Sequence, residues 1–217
     1  MKNLMWIDQT SLLKLKETAQ ISPSLYQWLA LTQNLSKKIN DTRNPFTLEL
    51  CYQGFSTPLP EEHQFFVDSF SQADDGTYFV RQVILKGAGI PLIFARVIVP
   101  SVTYNHYAEA FKNLGEAPIG STLLYGNAAI ARTPFAFRQT DLQEPLIQIM
   151  QSFLNRSDLG TPWLRRSCFH LPRGSLLITE SFLDNLFLLK TNKTCQVANT
   201  SPWDKDKDRE SGYATMD

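Results

Sequence analysis

Residues 78–85 and 91–99 are almost entirely aromatic, aliphatic or β-branched, and Gly87-Ala88-Gly89 lies between them. Two such runs around a turn that tolerates positive φ predict a β-hairpin. Each strand carries one arginine. Alternation puts Phe79, Arg81, Val83 and Leu85 on one face, and it flanks Arg96 with Phe94 and Ile98. A guanidinium on an apolar face needs an acceptor, because an unpaired buried charge costs several kcal/mol, roughly, even after relaxation. The acceptor is a side chain or a bound anion, unless both arginines sit at sheet rims and snorkel to water.

The rest of the chain accommodates a sizeable core around this hairpin. With 217 residues, one domain with decorations is expected. Twenty-one basic and 21 acidic residues cancel, which argues against nucleic acid or an anionic membrane held by bulk charge. Cys51, Cys168 and Cys195 have no metal-ligand spacing and read as reduced thiols of a cytoplasmic protein. No run of 18 apolar residues predicts a membrane span, and the first residues do not resemble a signal peptide.

In chain order, residues 11–18 predict a short helix. A stronger helical stripe starts at Pro23 behind the cap residue Ser22 and joins Leu25, Trp28, Leu29, Leu35 and Ile39. Residues 46–53 alternate as a half-buried strand, whereas 61–70 give no clear pattern. Residues 104–114 predict a helix ended by Gly115, followed by a helical turn from Pro118 to Tyr125. Residues 128–137 predict a strand confined by Pro134 to an edge or a bulge, and 141–155 an amphipathic helix starting near Pro145. A second hairpin follows, 163–171 and 175–183, around Pro172-Arg173-Gly174. The expected architecture is α+β: an antiparallel sheet of about six strands with helices on one face. Residues 1–189 make up the domain, and the polar segment 190–217 is expected to be disordered.

Glu180 shares a face with Leu176, Ile178 and Phe182, much as Arg81 sits among apolar residues. The two form a structural ion pair, or they grip opposite ends of a small polar ligand, the fork taking a carboxylate and the glutamate a hydroxyl. His63, His106 and His170 are scattered, and no nucleophile elbow, zinc-protease or P-loop pattern occurs. The residues thus point to a small-anion pocket without a metal or cofactor, and do not name its ligand.

The runs YFVRQVIL, GIPLIFARVIVP, LGEAPIGSTLL, WLRRSCFHL and LLITESFL, in this order and spacing, resemble the bacterial chorismate pyruvate-lyases of ubiquinone biosynthesis. The similarity reaches back to WLALTQNLSKKI and CYQGF and spans residues 25–183. It implies cleavage of chorismate to 4-hydroxybenzoate and pyruvate by a monomeric, cofactor-independent lyase whose ligand lies beneath helical flaps. By position, Arg81 falls on the family's carboxylate-binding arginine and Glu180 on the glutamate near the ring oxygen. Leu35 and Ile119 fall on two pocket positions that offer main-chain N–H groups. They replace methionine and leucine, both volume-conserving changes, and Ser121 stands where relatives carry a basic residue. Residues 139–159 resemble an insertion. The runner-up reading is a non-catalytic domain of the same fold that binds or senses a small molecule.

Overall fold

The computed structural model describes residues 5–188 except 43, 71–75 and 126, so the segment 190–217 expected to be disordered lies outside the described residues. Its centre is the predicted hairpin: β2 (Tyr78–Gly87) and β3 (Ile90–Pro100) joined by Ala88 and Gly89. Both linking residues have positive φ, 50° and 78°, the geometry that matches a two-residue turn to the twist of its strands. β1 (Phe46–Ser56) flanks β2. On the other side β3 pairs with β7 (Gly174–Phe182), which pairs with β6 (Trp163–Leu171). The short strands β4 (Ala131–Arg132) and β5 (Ala136–Gln139) both pair with β6, which completes a seven-stranded antiparallel sheet.

Burial of successive residues along β2 and β3 shows that both faces of the sheet are covered. On one face lie α1 (Gln9–Glu17), α2 (Pro23–Leu29), α3 (Leu35–Asp41), α5 (Ser101–Lys112) and the π-helical turn Gly120–Leu124. On the other lie α4 (Pro60–Phe70), whose Phe66 packs with Tyr78, Val80 and Ile98, and α6 (Pro145–Leu154), whose Leu146, Ile147 and Met150 pack with Ile84 and Phe94. The α+β antiparallel design is as expected, but helices lie on both faces rather than one. Residues 139–159 include α6, so most of the apparent insertion thickens the face away from the one that carries Arg81 and Glu180.

Three local readings change. The stripe from Pro23 to Ile39 is two helices, because Asn34 caps a second start by accepting from the Ser36 N–H, at 2.9 Å. The strand expected over 128–137 is broken at Thr133, whose hydroxyl accepts from the Cys168 N–H at 2.9 Å in place of a ladder bond. Residues 61–70 form a helix for a reason visible in Pro60-Glu61-Glu62. Pro60 starts the turn, and Glu62 reaches back to accept the Leu59 N–H at 2.7 Å.

The β6–β7 turn docks on α5. A Cβ at Gly174, where φ is +118°, falls 2.1 Å from the Thr103 hydroxyl, and the Ser175 N–H donates to that hydroxyl at 3.3 Å. Gly174→Ala therefore meets strain and a clash together, and a loss of about 1–3 kcal/mol is expected in a denaturant melt. A wild-type midpoint for this variant contradicts the tight docking of α5.

Candidate active site

A cleft enclosing about 690 Å³, counted with its open mouth, lies between the sheet and the helices of the first face. Its floor is Arg81, Val83, Ala95, Val97, Ile178 and Glu180, with Ser167 and Phe169 at the β6 side. Its roof has two parts: a first flap at the start of α3, with Asn34 and Leu35, and a second flap from Pro118 through Ile119 and Leu124 to Tyr125. All four residues singled out in the sequence, Leu35, Arg81, Ile119 and Glu180, line this one cleft.

Alternation and register fix the positions of the two charges. Arg81 pairs across to Val97, and Val97 to Ile178, while Glu180 pairs to Ala95. Arg81 and Glu180 are thus separated by two strand spacings and two residues, roughly 10 Å across the sheet and 7 Å along it. They are not each other's partners, which removes the ion pair considered above. Glu180 instead accepts from Arg165 Nε at 2.6 Å, its direct cross-strand neighbour on β6.

Arg165 is 1% exposed and completes a network of its own. Its Nη1 donates to the carbonyls of Leu31 at 2.6 Å and Leu29 at 3.2 Å, the groups left open where α2 ends. Its guanidinium also lies over the rings of Phe135, at 4.2 Å, and Phe182, at 5.3 Å. The break between α2 and α3 and the charge of Glu180 therefore share one stabilising group. The alternation of β6 marked Arg165, which falls on one face with Trp163, Ser167 and Phe169, but sequence reasoning passed over it.

Arg81 is also 1% exposed, yet it has no carboxylate partner among the described residues. Its Nη1 donates to Gln53 Oε1 at 2.5 Å, from the residue directly opposite on β1. Its Nη2 donates to the carbonyls of Gly115 at 2.8 Å and Ala117 at 3.2 Å, in the loop leading to the π-helical turn. Neutral acceptors leave the charge uncompensated, and burial pushes the guanidinium down to about 10. Arg96 provides the contrast. From the same hairpin it faces the opposite side, where Glu62 accepts from its Nε at 2.8 Å and from its Nη2 at 3.1 Å.

Other groups complete the chemistry of the cleft. Tyr125 lines the mouth, and partial burial raises its phenol, with Glu180 adding to the shift and Arg132 and Arg165 opposing it. Among the described residues no group of three His, Cys, Asp or Glu side chains is placed to hold a metal ion. Burial pushes the Cys51 and Cys168 thiols up to about 11, which keeps them protonated and poor nucleophiles at neutral pH. The site offers a buried cation at one end, a charge-paired carboxylate at the other and apolar walls between them.

The family model described as chorismate lyase matches residues 2–192. The chain belongs to the chorismate lyase family. A relative from Nitrosomonas europaea, named as a probable chorismate pyruvate-lyase, is 30% identical over 161 residues, 73% of this chain and 86% of its own. The chorismate pyruvate-lyase of Cronobacter sakazakii is 28% identical over 169 residues, covering 77% of this chain and 85% of its own. Among solved structures, the C-terminal domain of a histidine utilization repressor from Pseudomonas syringae pv. tomato superposes with a TM-score of 0.46 at 11% identity, covering 64% of this chain and 92% of that domain.

Within this family member, Arg165 is the group whose loss falls on folding. Arg165→Met leaves the buried end of Glu180 without a cation and the end of α2 without a donor. Breaking a buried pair in this way is expected to cost about 3–5 kcal/mol. A thermal melt with the wild-type midpoint for this variant shows that Arg165 does not support the flap.

Proposed function

We propose that this protein is a chorismate pyruvate-lyase, which eliminates pyruvate from chorismate to leave 4-hydroxybenzoate. The observation that carries the reading is Arg81: a buried, uncompensated guanidinium facing a cleft, in a chain of the chorismate lyase family. Such a site favours an anion, because a carboxylate accepts the donors that neutral groups leave unused and restores the charge balance.

Chorismate lies one elimination from aromaticity. The ring carbon bearing the hydroxyl loses its hydrogen as a proton, its neighbour loses the enolpyruvyl oxygen with the bonding pair, and the released enolate takes up a proton on its methylene carbon to become pyruvate. The atoms balance without an added reactant. Aromatisation drives the step, so the protein's tasks are to hold the anion in a reactive conformation, exclude water and stabilise charge on the departing oxygen. In this reading Arg81 clamps the ring carboxylate and Glu180 accepts from the ring hydroxyl, fixing the carbon that must lose its proton. Leu35 is the first residue of α3 and Ile119 precedes the π-helical turn, so the main-chain N–H groups at these positions lack intrahelical acceptors and suit a ligand oxygen. The free thiols of Cys51 and Cys168 suit a reducing cytoplasm. No helix among the described residues is long and apolar enough to cross a membrane.

The test is pyruvate release from chorismate by the purified protein, beside a thermal melt with and without 4-hydroxybenzoate. Arg81→Lys keeps the charge and loses the planar fork, so kcat/KM is expected to fall about 10- to 100-fold, with a matching loss of the product-induced melt shift. Normal turnover by Arg81→Lys removes the carboxylate clamp from the mechanism. Glu180→Gln retains an acceptor for Arg165 and is expected to stay folded and bind 4-hydroxybenzoate while turnover drops. If its activity declines only in proportion to its folded fraction, Glu180 is a flap support and not a contact to the substrate.

A further inference from the structure

We propose that Arg132 and Tyr125 form a second anion position in the cleft, which receives the carboxylate of the enolpyruvyl arm that leaves as pyruvate. The proposal rests on chorismate being the substrate. Chorismate carries two carboxylates, and the mechanism above gives a cation to one. Arg165 brings no uncompensated charge to the second, because its Nε donates to Glu180 and its Nη1 to carbonyls of the first flap.

Arg132 does not itself line the cleft, but three observations place it directly behind residues that do. On β4 it sits directly opposite Phe169, and cross-strand neighbours share a face, so Arg132 is on the cleft side of the sheet. Its guanidinium lies 4.0 Å over the ring of Phe135, the same ring that carries Arg165 at 4.2 Å. It also bears on the Tyr125 hydroxyl, favouring the ionised form that Glu180 disfavours. Phe169, Phe135 and Tyr125 all line the cleft.

Arg132 is also chemically unfinished. Its Nη1 is buried without a hydrogen-bond partner, and it has no ion pair among the described residues. Stacking on Phe135 holds the guanidinium plane without using its donors. A half-buried cation with an open donor, next to a phenol that can also donate, suits a carboxylate. Arg165 already balances the charge of Glu180, so Arg81 and Arg132, the second with Tyr125 beside it, are the cations left to accept the two charges of this substrate. 4-Hydroxybenzoate has only one carboxylate. Arg132 is therefore expected to distinguish substrate from product, which Arg81 does not.

The experiment compares Arg132→Gln and Arg132→Lys with wild type in pyruvate release and in the melt shift given by 4-hydroxybenzoate. Loss of a charge-assisted contact raises KM for chorismate about 10- to 100-fold in Arg132→Gln, while affinity for 4-hydroxybenzoate stays within about two-fold. Arg132→Lys recovers part of the loss. Tyr125→Phe, which keeps the ring, raises KM in the same selective way and serves if Arg132→Gln folds poorly. An unchanged KM overturns the proposal, and so does a parallel loss of chorismate and 4-hydroxybenzoate binding, which marks a structural role. If wild type releases no pyruvate, the lyase reading fails instead. Chorismate binding by calorimetry then judges the subsite, and equal affinity in wild type and Arg132→Gln overturns it.

Discussion

A buried guanidinium with no carboxylate beside it is the constraint on which this site depends. Among the described residues four arginines are buried, Arg81, Arg96, Arg138 and Arg165. Three have carboxylates within hydrogen-bond distance: Glu62 for Arg96, Glu61 and Glu144 for Arg138, Glu180 for Arg165. Arg81 alone is held by neutral acceptors, a side-chain amide and two carbonyls. Such acceptors satisfy geometry without supplying a countercharge, so the fold carries an electrostatic debt that a bound anion removes.

The acceptors chosen for the two cleft arginines tie the flaps to the ligand. Arg165 binds carbonyls at the end of α2, beside the flap that begins α3, and Arg81 binds carbonyls before the π-helical turn. Each flap is fastened by a cation, one paired with the carboxylate of Glu180 and the other lining the cleft without a carboxylate partner. An anion that takes up the free donors of Arg81 fixes the guanidinium plane and with it the carbonyls of the second flap. Ligand affinity and flap order are therefore expected to rise together, because they draw on the same group.

Much of this was legible in the sequence, and the limit of legibility has a physical cause. Period-two alternation assigns a face, so Arg81 and Glu180 could be aimed inward and both hairpins recognised. Alternation does not assign a partner. Glu180 lies 15 residues from Arg165, and Arg165 lies 134 residues from Leu31, separations that only the sheet register and the flap path bring together. The same limit hid the pairing of Arg96 with Glu62 and the break between α2 and α3. There the hydrophobic stripe continues through a turn that a distant guanidinium makes affordable. Of the two helices on the second face, α6 was predicted, whereas α4 went unrecognised because its sequence has no clean period, although Glu62 at the third helical position was a usable signal.

The different states of the two ends give the cleft a direction. A ligand with a carboxylate at one end and a hydroxyl at the other has two ways to lie between Arg81 and Glu180. In the reversed pose its carboxylate meets the Glu180 carboxylate. Two like charges about 4 Å apart at an effective dielectric near 20 repel by about 4 kcal/mol, of which Arg165 screens a part. The same pose leaves Arg81 uncompensated. Both effects favour one orientation, in which Glu180, fixed by Arg165, meets a neutral hydroxyl and needs no change of charge. Orientation then follows from the charges already present in the folded chain, and apolar residues such as Val83, Val97 and Ile178 have only to fit the ring.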